Sequence, residues 1–210
     1  MKDELGESFV PLYVSNLLNQ CWAKLYLTSF LRDNRIIFED YRFGEDRLFI
    51  LECLRAASSV SIGSACIYNY YVNNGTSLVS RFYDKKFDVC CLLADRAESL
   101  TRELGVWNDN AQRDLAYMYI KSVASCLTTT FSDSFTGGST ARKEYFRSIL
   151  GCEQVRDAAR IRFEKGFFAE ALRTVFKTGS VPLNILAIRL MVLANKLSLR
   201  AFIKIKHRNH

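Results

Sequence analysis

Patterning along this chain predicts an α+β protein that is mostly α, with a mixed α/β segment over residues 1–80 followed by an all-helical one over 81–210. Three observations carry that expectation. Only two prolines and ten glycines punctuate 210 residues that are 49% apolar, which is ample for a packed core. β-Branched and aromatic residues gather at 36–38, 59–62 and 65–71, with Gly63 between the last two runs. From about residue 84 onward, apolar residues recur at helical spacing instead.

Taken in order, residues 8–31 are largely apolar, with Asn16, Asn19 and Gln20 interrupting, and Pro11 confines any helix here to starting near it. The run 22–26 fits a strand or a helix equally well, and Thr28 and Ser29 can cap a short helix reaching Asn34. A short strand is expected at 36–38, then a loop to Gly44 that leaves Glu39 and Asp40 in solvent, then a helix over 46–57 with Leu48, Leu51 and Leu54 at helical spacing. Strands follow at 59–62 and 65–71, and Asn74-Gly75 in the run 73–77 suits a turn with positive φ. The segment 84–104 places Phe87, Cys90, Cys91, Ala94, Ala97, Leu100 and Leu104 on one helical face. Asp109 and Gln112 have the spacing of a capping box for a helix to about Thr130. Gly137-Gly138 opens a loop, and helices over 139–150, 153–164, 168–177 and 182–206 complete the chain.

The net charge of +7 is concentrated in one place. Of the 29 Lys and Arg residues six lie within 181–210, where none of the 22 Asp and Glu residues falls. The seven cysteines are an odd number without C-x-x-C spacing and sit mostly within apolar patterns, as small core residues of a reducing compartment do. With the only histidines at 207 and 210, no metal-ligand spacing is present. No uncharged apolar stretch reaches 18 residues and the first residues lack a signal-peptide pattern, so the expected location is the cytoplasm.

The most informative stretch is Gly44-Glu45-Asp46, just ahead of an apolar run of helical character. A carboxylate in the first turn of a helix meets unpaired backbone N–H groups and the positive end of the macrodipole, which favour its ionised form by roughly 0.3–1 kcal/mol. Such a group can serve as a base, or it can simply charge the helix start.

The order of several short motifs bears on that choice. Asn19-x-x-Trp22-x-Lys24-Leu25-Tyr26 is followed by Leu31-x-x-Asn34-x-Ile36-x-Phe38, Gly44-Glu45-Asp46-x-x-Phe49, Ala56-Ala57, Tyr68-x-Tyr70-x-x-Asn73 and Gly75-Thr76-Ser77. This succession resembles the C-terminal half of the catalytic domain of family 2 glycosyltransferases of the GT-A fold, over roughly residues 15–80. The resemblance implies a truncated GT-A-like α/β segment followed by a helical extension. It also implies an inverting transfer of sugar from a nucleotide-sugar to a glycan or lipid-linked glycan acceptor, in polysaccharide biosynthesis. Asp46 would be the general base that takes the acceptor's hydroxyl proton, and Glu45 would orient Asp46 or the acceptor. Trp22, Lys24 and Tyr26 would lie at the substrates. The family's donor-binding half, with a D-x-D motif that holds Mg²⁺ or Mn²⁺ on the diphosphate, has no counterpart, since no D-x-D occurs in this sequence. On this reading the chain's first partner is a missing N-terminal donor-binding half, and the chain alone is inactive. Many relatives carry an arginine soon after the Y-x-Y tyrosines, within reach of the diphosphate; Tyr71 and Val72 stand there in this sequence, so the resemblance does not extend to a phosphate contact by this turn.

At the C-terminus, Arg189, Lys196, Arg200 and Lys204 fall within about an 80° arc of a helix whose other faces are largely apolar. Such a helix can dock on an anionic membrane surface, which would make the protein peripheral on the inner face of the cell membrane, or it can pack on a bundle with a solvated basic face. Nucleic acid is not an expected partner, because no aromatic-interleaved basic groove accompanies the charge. The alternative to a sugar transferase is a noncatalytic helical module for interaction or membrane docking.

Overall fold

The computed structural model describes residues 2–65, 67–69 and 81–208, with side chains described from Leu5 to Leu197. Among the described residues every regular element is a helix: α1 (Lys2–Val14), α2 (Thr28–Asp33), α3 (Glu45–Ala56), α4 (Lys86–Glu103), α5 (Asp109–Thr129), α6 (Gly138–Gly151), α7 (Glu153–Arg160), α8 (Phe167–Lys177) and α9 (Val181–Arg208). The expected α+β class, with its GT-A-like α/β segment over 1–80, is therefore corrected to all-α. Residues 22–26, 36–38, 59–62 and the described part of 65–71 form no strand. Their composition suits a pleated, half-buried surface, but a strand also needs a neighbouring strand for its N–H and C=O groups, and none is available among the described residues. The turn expected at 73–77 lies outside the described residues.

The chain divides into two compact units, one of Met1–Val79 with Lys85–Tyr119 and one of Ser80–Asp84 with Ile120–His210. In the first, α3 and α4 pack against each other and α1 packs on α4, around a core that includes Phe9, Tyr13, Leu48, Leu51, Val89, Leu93 and Leu100. The buried face of α4 is rotated from the expected one: Val89 and Leu93 lie at its centre with Cys90, Ala97 and Leu100, whereas Phe87 and Cys91 are only half-buried. Helix α1 runs through Pro11 instead of beginning near it. Pro11 is exposed in the helix's last turn, where few further helical bonds depend on the region, and Ser15 N–H donates to its carbonyl at 3.0 Å. At α5 the cap is Asn108 and not Asp109, since the Ala111 N–H donates to Asn108 Oδ1 at 3.0 Å. Leu27, in extended conformation, occupies the N-cap of α2 without a side-chain bond, so neither Thr28 nor Ser29 caps it.

In the second unit α6, α7, α8 and α9 pack in succession, with α9 also against α6. Phe146, Ile149, Ala159, Phe163, Phe176 and Ile188 are buried there. Helix α7 stops at Arg160, short of the expected 164, because Ile161 turns extended and Glu164 takes a positive φ of 54°. The carboxylate of Glu170 accepts the Phe163 N–H thus released, at 2.6 Å. The buried Asn184 of α9 donates through Nδ2 to the carbonyl of Val175 in the last turn of α8, at 3.0 Å.

Candidate active site around Asp46

Helix α3 begins at Glu45 because Gly44 is both its N-cap and a left-handed residue, with φ 79°. The Leu48 N–H donates to the Gly44 carbonyl at 3.0 Å, the first bond of the helix, so Glu45 and Asp46 occupy its first two positions. A Cβ on Gly44 would lie 2.9 Å from Leu93 Cδ1 and 3.0 Å from Val89 Cγ1. The glycine therefore sets the turn and also lets the loop close onto α4. Asp46 emerges half-buried at the positive end of the helix, while Leu48, Phe49 and Leu51 anchor the next turn in the core.

Segment 20–27 folds back toward this helix start, turning at Ala23 with φ 57°. Burial raises the pKa of the Cys21 thiol, and Asp46 raises it further through a hydrogen bond and its negative charge. Burial lowers the pKa of Lys24, against the opposing charges of Cys21 and Asp46. The Lys24 ammonium donates to the Gln20 carbonyl at 2.6 Å. Burial pushes the Tyr26 phenol far above its usual range, with smaller contributions from Cys53, Cys21 and Asp46. The Tyr26 ring meets Phe49 edge-on at 5.3 Å, and its buried hydroxyl has no hydrogen-bond partner among the described residues. Trp22 stacks on Tyr68, the first tyrosine of the Y-x-Y motif, with ring centres 4.6 Å apart and planes 18° from parallel.

Of the sequence-predicted residues, Lys24 and Tyr26 lie within electrostatic range of Asp46 without bonding to it, and Trp22 joins their segment to Tyr68. Glu45 shares the helix start but makes no described bond to Asp46. Cys21 was missed, because a lone cysteine in an apolar run reads as core until the turn at Ala23 brings it to the carboxylate.

Glu39 refines another expectation: it lies in the expected loop but is only part-exposed and ion-paired. It pairs with Arg96 at 2.7 Å, and the same guanidinium reaches Glu52 at 2.8 Å. Glu52 also holds Arg55 at 2.9 Å, and Arg55 Nε meets Glu103 at 3.1 Å. Partly exposed pairs contribute about 0–1 kcal/mol each, but the series ties the loop before α3 to α4. Asp40, by contrast, is exposed.

Among the described residues no group of three or more His, Cys, Asp and Glu side chains could hold a metal ion. Of the basic residues assigned to membrane docking, Arg189 and Lys196 are exposed on α9, while the side chains of Arg200 and Lys204 lie outside the described residues. No helix among the described residues is long and apolar enough to cross a membrane. No family model, curated protein or solved structure matches the chain.

Proposed function

We propose that this chain is the acceptor-side part of an inverting glycosyltransferase, with Asp46 as the base that deprotonates the acceptor hydroxyl. The observation that carries this reading is the hydrogen bond from Cys21, the residue before the W-x-K-L-Y segment, to Asp46 at the start of α3, with Lys24 in electrostatic range and Trp22 stacked on Tyr68 of the Y-x-Y segment. These pieces are about twenty residues apart in sequence, and their chemistry is complementary. An alcohol is a poor nucleophile near neutral pH, and a positioned carboxylate that receives its proton as the C–O bond forms can accelerate the step by about 10²–10⁴-fold. The half-buried Lys24 ammonium adds a positive charge within electrostatic range of that carboxylate. The Trp22–Tyr68 pair offers an aromatic surface suited to the C–H face of a sugar ring.

The donor nucleotide-sugar and its Mg²⁺ or Mn²⁺ are assigned to a separate donor-binding part, because the described residues do not fit a metal site. No step is therefore routed through the ion in this chain. Several irregular segments of the first unit expose large apolar side chains, among them Leu25 (95%), Leu27 (76%), Ile37 (74%) and Ile62 (73%). Exposed apolar surface of this extent is suited to cover by another protein part, and we assign that cover to the donor-binding part. The chain alone is proposed to be inactive.

A noncatalytic helical interaction module is the second reading, favoured by the wholly helical character of the described elements. The two are separated by incubating the enzyme that carries this chain with radiolabelled nucleotide-sugars and glycan or lipid-linked acceptors, and determining the anomeric configuration of the product by NMR. Transfer with inversion is expected; transfer with retention, or no transfer with any donor, would remove the proposed mechanism.

A further inference from the structure

Helix α9 carries Leu183, Leu186, Leu190, Leu193 and Leu197, each between 41% and 64% exposed. Their alternating spacing of three and four residues aligns them in one row along the helix. The row lies opposite Asn184 and Ile188, which are buried. Exposed Arg189 and Lys196 run along one flank of the row, and Ala187 and Ala194 occupy the other. No acidic residue occurs anywhere in 181–210. The face that α9 turns away from its own unit is thus apolar in the middle and cationic at one edge.

That combination discriminates among possible covers. A second copy would bring another wholly basic helix alongside, with no carboxylate to answer Arg189 or Lys196. In sequence register the next two positions of the row are Arg200 and Lys204, so the leucine seam spans about two heptads, short of the three to four that mark a sustained coiled coil. Nucleic acid would neutralise the basic flank but leave the leucines in water. An anionic lipid surface answers both, because leucines enter the boundary between head groups and acyl chains while lysine and arginine meet the negative head groups.

We propose that α9 lies flat on an anionic membrane surface, inserting the row Leu183, Leu186, Leu190, Leu193 and Leu197 and holding Arg189 and Lys196 at the phosphate level. The helix lies on the bilayer and does not span it. This inference rests on α9 alone and stands whether or not Asp46 is a catalytic base.

The test is flotation of the full chain with vesicles of phosphatidylcholine containing about one-third phosphatidylserine, against pure phosphatidylcholine. Binding to the anionic vesicles is expected, weakened at least about tenfold on neutral vesicles or by Leu190→Asp/Leu193→Asp, and several-fold by Arg189→Gln/Lys196→Gln. The leucines are exposed, so circular dichroism should be unchanged in the first variant, and the second alters only exposed charges. Wild-type protein that fails to float with anionic vesicles would overturn the proposal. So would leucine variants that float undiminished, or a concentration-dependent dimer in sedimentation that the leucine substitutions abolish.

Discussion

Burial raises the pKa of the Cys21 thiol, and Asp46 adds to that rise by accepting its hydrogen and by its negative charge. A raised thiol pKa means less thiolate at a given pH and slower alkylation. Asp46→Asn removes the charge, so the Cys21 pKa should fall and its reaction with iodoacetamide at pH 8 should quicken by about two- to fivefold, read peptide by peptide by mass spectrometry. An unchanged rate would mean that the two side chains do not communicate. The position of the two carboxylates at a helix start was legible from Gly44-Glu45-Asp46 and the apolar run after it. The thiol was not, because its position depends on Ala23 adopting a positive φ, which an alanine rarely does and no local pattern announces. The pairing of Glu39 escaped for a related reason: its partner Arg96 is distant in sequence and sits on α4.

At the scale of elements, the joint between α3 and α4 depends on one missing methyl group. Gly44→Ala would force a side chain into a left-handed conformation and against Val89 and Leu93 at 3.0 Å or less. A loss of about 2–4 kcal/mol in unfolding free energy is expected from the two effects together, measured by urea denaturation. Gly63→Ala, whose added Cβ would meet nothing within 4 Å, serves as the comparison and should be close to neutral. Equal stability of the two variants would contradict this account of the joint. Helix α3 was readable to within a residue or two because its leucines repeat at helical spacing into a buried face. The expected strands were not readable in the same way. Val60, Ile62 and Ile67 have the composition of strands, but a strand is a property of a pair, and the helical pattern alone carries its own hydrogen bonds. The early end of α7 was hidden because the Glu170 carboxylate that receives the freed Phe163 N–H belongs to the next helix.

Over the whole molecule, charge and exposed apolar surface are distributed in a way that composition only hinted at. The surplus of positive charge could be assigned to 181–210 from sequence, but the leucine row beside it emerged only once α9 had a buried side and an outer side. The exposed large apolar side chains of the first unit fall in its irregular segments. The expected α/β layering was inherited from family resemblance and gave way to an all-helical set of described elements, whereas the candidate grouping at Asp46 rests on its hydrogen bond with Cys21. Asp46 is proposed to remove the proton from the acceptor hydroxyl. That role is tested most directly by steady-state transfer kinetics of the enzyme carrying Asp46→Asn, an uncharged near-isostere. A fall in kcat of about 10²-fold or more is expected, with little change in KM for the nucleotide-sugar; turnover within about twofold of the unsubstituted enzyme would remove Asp46 from the base role.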